Sequence, residues 1–372
     1  MLNVQEFLNN FSIPQEGLDA LLKKHGVYSK IHPNDGRVIL DYDQIGSVKT
    51  NPIVRECRGL VLDSNNNWEI VARGFDRFFN WGECQSDAGK FDWDNCYASV
   101  KHDGTMLLVY RWNGRICVNT RFSWANDKMV TGFSFRELFD MAVGDEGLKR
   151  LEEYYKDNPR ATLVFELVGP YNKIVRHYSS TDVFLINARP EPMKEHSPAN
   201  IKSLAEKLGF KPTEFEPIKS AFDIVDRISK LPEDHEGFVA VDCQGNRWKF
   251  KSDTYIALHA LKDNGNVATA KYAIPLILQG KSDDIVAKFP EIGEIYNKIS
   301  EYISEQINLC QDIYNGISKI ENQKEFALKV KEICPNGLIG SMMFAMKKTN
   351  KTPLQLICEN DYRLAYKLWE NQ

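Results

Sequence analysis

Several short stretches carry side chains able to act on a phosphate. Lys101-His102-Asp103-Gly104 puts a lysine at the end of a β-rich run, just ahead of a turn signal. A lysine is a nucleophile only as the neutral amine, so its pKa must fall from about 10.4, which burial or neighbouring cations achieve. Trp248-Lys249-Phe250-Lys251 offers such cations. Side chains alternate along a strand, so both lysines share one face and both aromatics the other. Two cations on one face suit a polyphosphate, and they disfavour a third ammonium beside them. A solvated edge strand guarded by lysines gives the same string.

Two carboxylates stand in apolar surroundings. Glu166 lies inside Leu163-Val164-Phe165-Glu166-Leu167-Val168, and Glu236 directly precedes Gly237-Phe238-Val239-Ala240-Val241. A carboxylate in such a run must reach solvent or find a partner. Arg58, in Arg55-Glu56-Cys57-Arg58-Gly59, likewise precedes a strand, and Asp283-Asp284 could hold a hydrated Mg²⁺ or could simply be solvated.

Positioning these residues takes two kinds of chain. Up to residue 257, strands are expected at 59–63, 162–168, 183–187, 238–242 and 247–251, and Asp103-Gly104 and Asn113-Gly114 bracket TMLLVYRW as two consecutive hairpins. A helix should start at Ser197-Pro198 and stop at Gly209; another follows Ser220, with Asp223 three residues on. Beyond residue 258 the strand signals vanish. Ile292, Ile295, Ile299, Ile303, Ile307, Cys310, Ile313, Ile317 and Ile320 recur every three or four residues, the stripe of one long amphipathic helix. Shorter helices are expected at 323–333, 338–347 and 354–369. The domains are therefore 1–257 and 258–372, and the fold class is α+β with an all-α C-terminal part.

The 372 residues are 43% hydrophobic and 26% charged, the composition of a globular protein. A net charge of −4 excludes a polycationic mode of nucleic-acid binding but not a local basic groove. The eight cysteines and seven histidines show no zinc spacing, and a chain this long can bury a full core without disulfides. With no basic leader segment at the N-terminus and no run of 18 apolar residues, the expectation is a soluble, cytoplasmic protein.

The order Arg58, Lys101, Glu166, Glu236, then Lys249 with Lys251, resembles the motifs of the covalent nucleotidyltransferases, the superfamily of ligases and mRNA capping enzymes. Within it the chain most resembles the T-even bacteriophage RNA ligase 1 type, the tRNA-repair RNA ligases. The likeness rests on Glu56-Cys57-Arg58-Gly59, Phe78-Phe79-Asn80, Lys101-His102-Asp103-Gly104-Thr105, Phe165-Glu166-Leu167-Val168 with Asn172-Lys173-Ile174-Val175, Glu236 to Val241, and Lys249-Phe250-Lys251-Ser252-Asp253 followed by Tyr255. It is close from about 37 to 290 and looser beyond. Met106 stands where DNA ligases and capping enzymes usually carry arginine, and Asp103 where the other phage ligase type has histidine. The stretch Lys249-Phe250-Lys251 leads here into helices rather than an OB barrel.

The resemblance implies an antiparallel-sheet nucleotidyltransferase domain, ATP-grasp-like, followed by a helical domain that favours tRNA. It implies an ATP-dependent RNA ligase, monomeric and free of the membrane, acting in the host cytoplasm if phage-encoded. Such an enzyme joins RNA 5′-phosphate and 3′-hydroxyl ends, those of tRNA nicked in the anticodon loop, with Mg²⁺ or in its place Mn²⁺. Lys101 would take the AMP and Glu236 would order the hydrated metal. Tyr42, Arg58, Arg77, Glu166, Lys249 and Lys251 match ATP-contacting positions, and Asp283 a metal-binding aspartate. Arg77 replaces a lysine of the family, keeping the charge on a more rigid group. Asn119-Thr120-Arg121 stands where the family has two lysines, leaving Arg121 for RNA or phosphate. Lys347, Lys348 and Lys351 form the basic cluster of the tail that could touch tRNA. A DNA ligase, a capping guanylyltransferase or a catalytically silent RNA-end-binding protein would share much of this pattern.

Overall fold

A computed structural model describes residues 1–10, 15–44, 46–81, 83, 87, 89–129, 131–172, 174–232, 234–252, 267–278, 280, 282, 286, 293–360 and 362–371. The chain forms two compact units, Met1–Tyr255 and Ile256–Gln372.

The first unit is built on three sheets. One is an antiparallel meander of β1 (Val27–Ile31), β2 (Arg37–Tyr42), β3 (Arg58–Asp63) and β4 (Glu69–Ala72). The helix Asn3–Asn9 caps it, held by the Glu56 carboxylate, which accepts the backbone N–H of Asn3 at 3.0 Å and of Val4 at 2.9 Å. The remaining strands are β5 (Phe79–Asn80), β6 (Cys96–Val100), β7 (Thr105–Trp112), β8 (Arg115–Asn119), β9 (Thr162–Val168), β10 (Asp182–Arg189), β11 (Lys211–Pro212), β12 (Phe215–Ile218), β13 (Gly237–Asp242) and β14 (Arg247–Lys251). They form two five-stranded sheets, ordered β11-β10-β9-β7-β8 and β12-β6-β13-β14-β5. Both are antiparallel apart from one short parallel pair each, β10 with β11 and β14 with β5.

The turn at Asn113-Gly114 closes a hairpin of β7 and β8, with φ of +46° and +77°, the left-handed pair that a two-residue hairpin needs. The hairpin expected at Asp103-Gly104 does not form: β6 and β7 lie in different sheets. Asp103 is 1% exposed because its carboxylate accepts the backbone N–H of Val175 at 2.7 Å and of Arg176 at 2.6 Å. A Cβ on Gly104 would meet the Leu167 carbonyl oxygen at 2.1 Å, so this dipeptide is a crossing point pressed against β9. The helix Pro198–Leu208 runs between its serine N-cap and Gly209 at φ +69°, as its end signals require. The helix Phe135–Asp157 is not anticipated, although Ser134 and Glu137 form its capping box. Gly144, at φ +63° and ψ +174°, breaks its geometry and blurs the apolar period.

Among its described residues the second unit has helices and no strand. The long helix spans Gly293–Ile317 and buries Ile299, Ile303, Cys310 and Ile317 against Phe326 and Met342. Helices Gln323–Ile333 and Gly337–Thr349 follow. The helix expected at 354–369 is two, Pro353–Glu359 and Arg363–Glu370, because the backbone turns left-handed at Tyr362, φ +62°. The basic cluster is largely consumed by the fold. Lys347 donates to the carbonyls of Ser318 and Ile320, just past the long helix, and covers the Phe326 ring at 4.5 Å, while Lys351 pairs with Glu359 at 2.5 Å. Among the described residues no helix is long and apolar enough to cross a membrane.

Candidate active site

Three of the singled-out side chains meet at one end of the third sheet. Lys101 follows the last residue of β6, Glu236 precedes the first of β13, and Lys251 ends β14. The registers Val100 with Phe238 and Lys251 with Gly237 bring these ends together. The Lys101 amide donates to the Gly237 carbonyl at 2.9 Å, fixing the backbone. Gly237 is required there: its φ is +132°, and a Cβ would lie 2.0 Å from the Phe250 carbonyl oxygen. Lys101 Nζ donates to Glu236 Oε2 at 2.5 Å, and Lys251 Nζ stands 2.8 Å from Glu236 Oε1. Burial alone would raise the Glu236 carboxyl, but the Lys101 and Lys251 ammoniums outweigh it and hold it at about 2.

β14 divides as its alternation requires. Trp248 and Phe250 are 2% and 3% exposed in an apolar cluster, and Lys249 points the other way, donating to the Phe78 carbonyl at 3.0 Å. Burial pushes the Lys249 ammonium well down, Arg58 and Lys251 add to this, and Glu83 opposes it. Glu236 stands between Lys101 and Lys251 and offsets the repulsion between their ammoniums.

Arg58 and Lys249 share the Phe78 ring, at 4.6 and 4.5 Å from its centroid. Arg58 Nε and Nη1 are buried with no hydrogen-bond partner among the described residues, and burial lowers the guanidinium pKa. Glu166, on β9 opposite Met106, is raised to about 7 by burial. Its neighbour Glu236 adds to that rise, while Lys101 and Arg58 oppose it. Glu166 is thus partnered, as its apolar setting demands, but by charges rather than by a close ion pair.

A second group surrounds Tyr42. Its ring is covered by Arg77 at 4.1 Å and Arg121 at 4.7 Å. Arg77 also donates to Ser47 Oγ at 2.6 Å and to the Gln44 carbonyl at 3.2 Å, a planar task that a lysine could not perform. Arg121 Nε bridges both oxygens of Asp41, at 2.9 and 2.7 Å. Arg58 feels both Tyr42 and Arg121, which ties this group electrically to the first. Asp283 and Tyr255 lie outside the described residues, as do Lys173 and Asp284.

Other members carry no sequence signal of their own. Lys49 pairs with Glu83 at 3.1 Å, and Glu83 Oε2 accepts from the Asn80 amide and side chain. His102 turns away from Lys101, stacks on Phe184 with centroids 3.9 Å apart, and meets Thr213 Oγ1 at 3.0 Å. Burial, with Arg176 and Lys101, lowers its pKa to about 4, so it is neutral at pH 7.

A lysine amine held by a carboxylate, with half-buried cations beside it, is an arrangement suited to phosphoryl or nucleotidyl transfer. A family model described as RNA ligase, of the T4 RNA ligase 1 type, matches residues 56–255, more than half of the chain and up to the end of the first unit. The chain belongs to this RNA ligase family. It is 27% identical over 310 residues to a protein of Autographa californica nuclear polyhedrosis virus described as a bifunctional polynucleotide kinase/RNA ligase, a match covering 79% of this chain. The chain spans 43% of the length of that relative. It is 25% identical over 380 residues to the RNA ligase of Rhodothermus phage RM378, covering 84% of this chain and 83% of that one. The fold of this RNA-ligase-family chain is also that of a solved archaeal ATP-dependent RNA ligase, with a TM-score of 0.54 over 83% of each chain at 15% identity.

Proposed function

We propose that this ATP-dependent member of the RNA ligase family joins RNA 5′-phosphate and 3′-hydroxyl ends through a lysyl-AMP on Lys101. Its natural task is the repair of tRNA cleaved in the anticodon loop, carried out as a monomer in the cytoplasm, the host's if the gene is borne by a phage. The observation that carries the chemistry is the Lys101–Glu236–Lys251 bridge beside Arg58, whose Nε and Nη1 are buried without a partner among the described residues. Such donors are costly to bury unless an anion meets them in the working state, and the phosphates of ATP are that anion.

The reaction then has three transfers. Lys101 Nζ, as the free amine, attacks the α-phosphorus of ATP; a P–N bond forms, the P–O bond to pyrophosphate breaks, and the amine proton leaves. An oxygen of the RNA 5′-phosphate next displaces the lysine, which regains a proton, and leaves an RNA end capped by AMP through a 5′–5′ pyrophosphate. Finally an RNA 3′-hydroxyl attacks that phosphate, forms the phosphodiester and expels AMP. Glu236, which meets Lys101 through one oxygen and Lys251 through the other, orients the amine. Lys249, Lys251 and Arg58 neutralise charge as each phosphorus becomes pentacoordinate. Tyr42 and Arg77 shape the nucleotide pocket, and Arg121, fixed by Asp41, faces RNA or phosphate.

Magnesium is commonly held by one or two carboxylates together with substrate phosphates. Among the described residues no cluster of three or more acidic, histidine or cysteine side chains could hold a metal alone. Glu236, whose two oxygens meet Lys101 and Lys251, would order the waters of a hydrated metal, and Asp283 is the candidate ligand. When bound, Mg²⁺, or Mn²⁺ in its place, would neutralise charge on the ATP phosphates.

Intact mass after incubation with ATP and Mg²⁺ tests the reading. The expected result is a gain of one AMP, absent in Lys101→Ala and not produced by GTP. Folded protein that gains nothing would favour a silent nucleotide-binding role. Lys101→Ala should still seal an RNA that is already adenylated, because only the first two transfers use the amine. The tRNA assignment rests on the helical unit. Removing it after about residue 257 should keep adenylation and lower the preference for nicked tRNA over linear RNA; an unchanged preference would refute it.

A further inference from the structure

The first unit holds a half-open cavity of about 880 Å³, within the ~300–1,000 Å³ of small-ligand pockets, and Arg77 of the group around Tyr42 is part of its wall. Seven lysine and arginine side chains line it against four carboxylates, a positive excess in a chain whose net charge is −4. At its centre three guanidiniums share two carboxylates. Arg73 Nη2 pairs with Asp76 at 2.8 Å, Arg189 Nη2 with Glu195 Oε2 at 2.9 Å, and Arg247 with the other oxygen of Glu195. Arg73 and Arg189 are only 8% and 7% exposed. Burial brings Arg189 down to about 10, with Arg73 and Arg247 adding to the effect against Glu195. One buried positive charge in this group therefore lacks a counter-charge, and a bound anion would supply it.

The cavity adjoins the group around Lys249. Phe78 lines it, and the carbonyl of Phe78 accepts the Lys249 ammonium. Arg247, Lys249 and Lys251 lie on one face of β14, roughly 6.6–6.8 Å apart in succession. They form a cationic stripe from the lysine that pairs with Glu236 to the cavity. Tyr97, 36% exposed, adds an aromatic surface to the lining.

We propose that this cavity holds the phosphodiester backbone of the RNA strand, which the β14 stripe leads to the reacting end. This rests on the reading of the chain as an RNA-joining enzyme. A polyphosphate tail shares the same chemistry, so the test separates the two. Fluorescence anisotropy of a short 5′-phosphorylated single-stranded RNA would be followed over a range of salt for wild type, Arg247→Gln and Glu195→Gln. Losing one phosphate contact should weaken Arg247→Gln about three- to tenfold and lower the salt slope by about 0.7. Glu195→Gln frees two guanidiniums and should bind RNA more tightly. Opposite signs are the expected result, because a structural role would weaken both.

Equal affinity in all three proteins, or equal loss in both variants, would overturn the proposal. So would an Arg247→Gln defect confined to the KM for ATP, which would assign the cavity to polyphosphate. If Arg247→Gln does not fold, the exposed Lys194→Glu at the cavity wall should weaken RNA binding in the same direction. All variants should form lysyl-AMP. A wild type that forms none would sink the ligase reading, whereas adenylate with unaltered RNA binding would sink the cavity alone.

Discussion

Lys101 Nζ and Glu236 Oε2 lie 2.5 Å apart across 135 residues of chain, and the second oxygen of the same carboxylate holds Lys251. One buried carboxylate thus spaces two ammoniums that would otherwise repel, and it fixes the position of the Lys101 amine.

Replacing that carboxylate should show both effects. Glu236→Gln leaves two cations facing each other, and losing one partner of a buried pair costs about 3–5 kcal/mol. Urea denaturation should register that loss, and adenylate formation should slow by about a hundred- to a thousand-fold. Adding Lys101→Ala should recover part of the stability, since it removes one of the repelling charges, while leaving no adenylate. A double variant no more stable than Glu236→Gln would argue against the bridge.

Glu166 sets a pH dependence of the opposite sign to that of a salt-bridged acid. Its carboxyl rises from an ordinary 4.5 to about 7 on folding, so the native state binds the proton more tightly. That contribution is complete below about 4.5 and is lost as the pH climbs through 7. Glu166→Gln, always neutral, should therefore gain up to about 3 kcal/mol on wild type at pH 8 and almost nothing at pH 4. Thermal melts at the two pH values measure this.

Asp103 should act through the backbone rather than on the phosphate. Asp103→Asn weakens two charge-assisted bonds to Val175 and Arg176, at a cost of about 1–3 kcal/mol. Amide hydrogen exchange at those two positions should speed up, with little change elsewhere.

Lys347 gives the corresponding expectation in the helical unit. Because its ammonium is spent on the carbonyls of Ser318 and Ile320, Lys347→Ala should destabilise that unit by about 1–2 kcal/mol and leave RNA affinity unchanged. A fall in affinity without a fall in melting temperature would restore the RNA-contact reading.

Much of this site is legible in the chain because the alternation of Trp248-Lys249-Phe250-Lys251 has one solution in a half-buried strand. Ser197-Pro198 and Gly209 mark their helix equally well, since caps are local signals. What stays hidden depends on distant partners. Nothing near Asp41 announces that it holds Arg121, and nothing near Glu83 announces Lys49. Asp103-Gly104 misleads for the same reason: it carries turn residues, yet contacts with residues 167, 175 and 176 decide its conformation. The long helix from Phe135 is missed because Gly144 interrupts the period on which helix recognition depends.

Gly104 and Gly237 have no functional group, yet each faces a strand carbonyl at about 2 Å from where a methyl would sit. In a saturation mutational scan, both should appear as intolerant as Lys101 itself. Even alanine at either place would force β9 or β14 aside, and with it Glu166 or Lys251. Intolerance in such a scan would therefore outline the clearance between strands as well as the reacting groups, and biochemical rescue would be needed to tell the two apart.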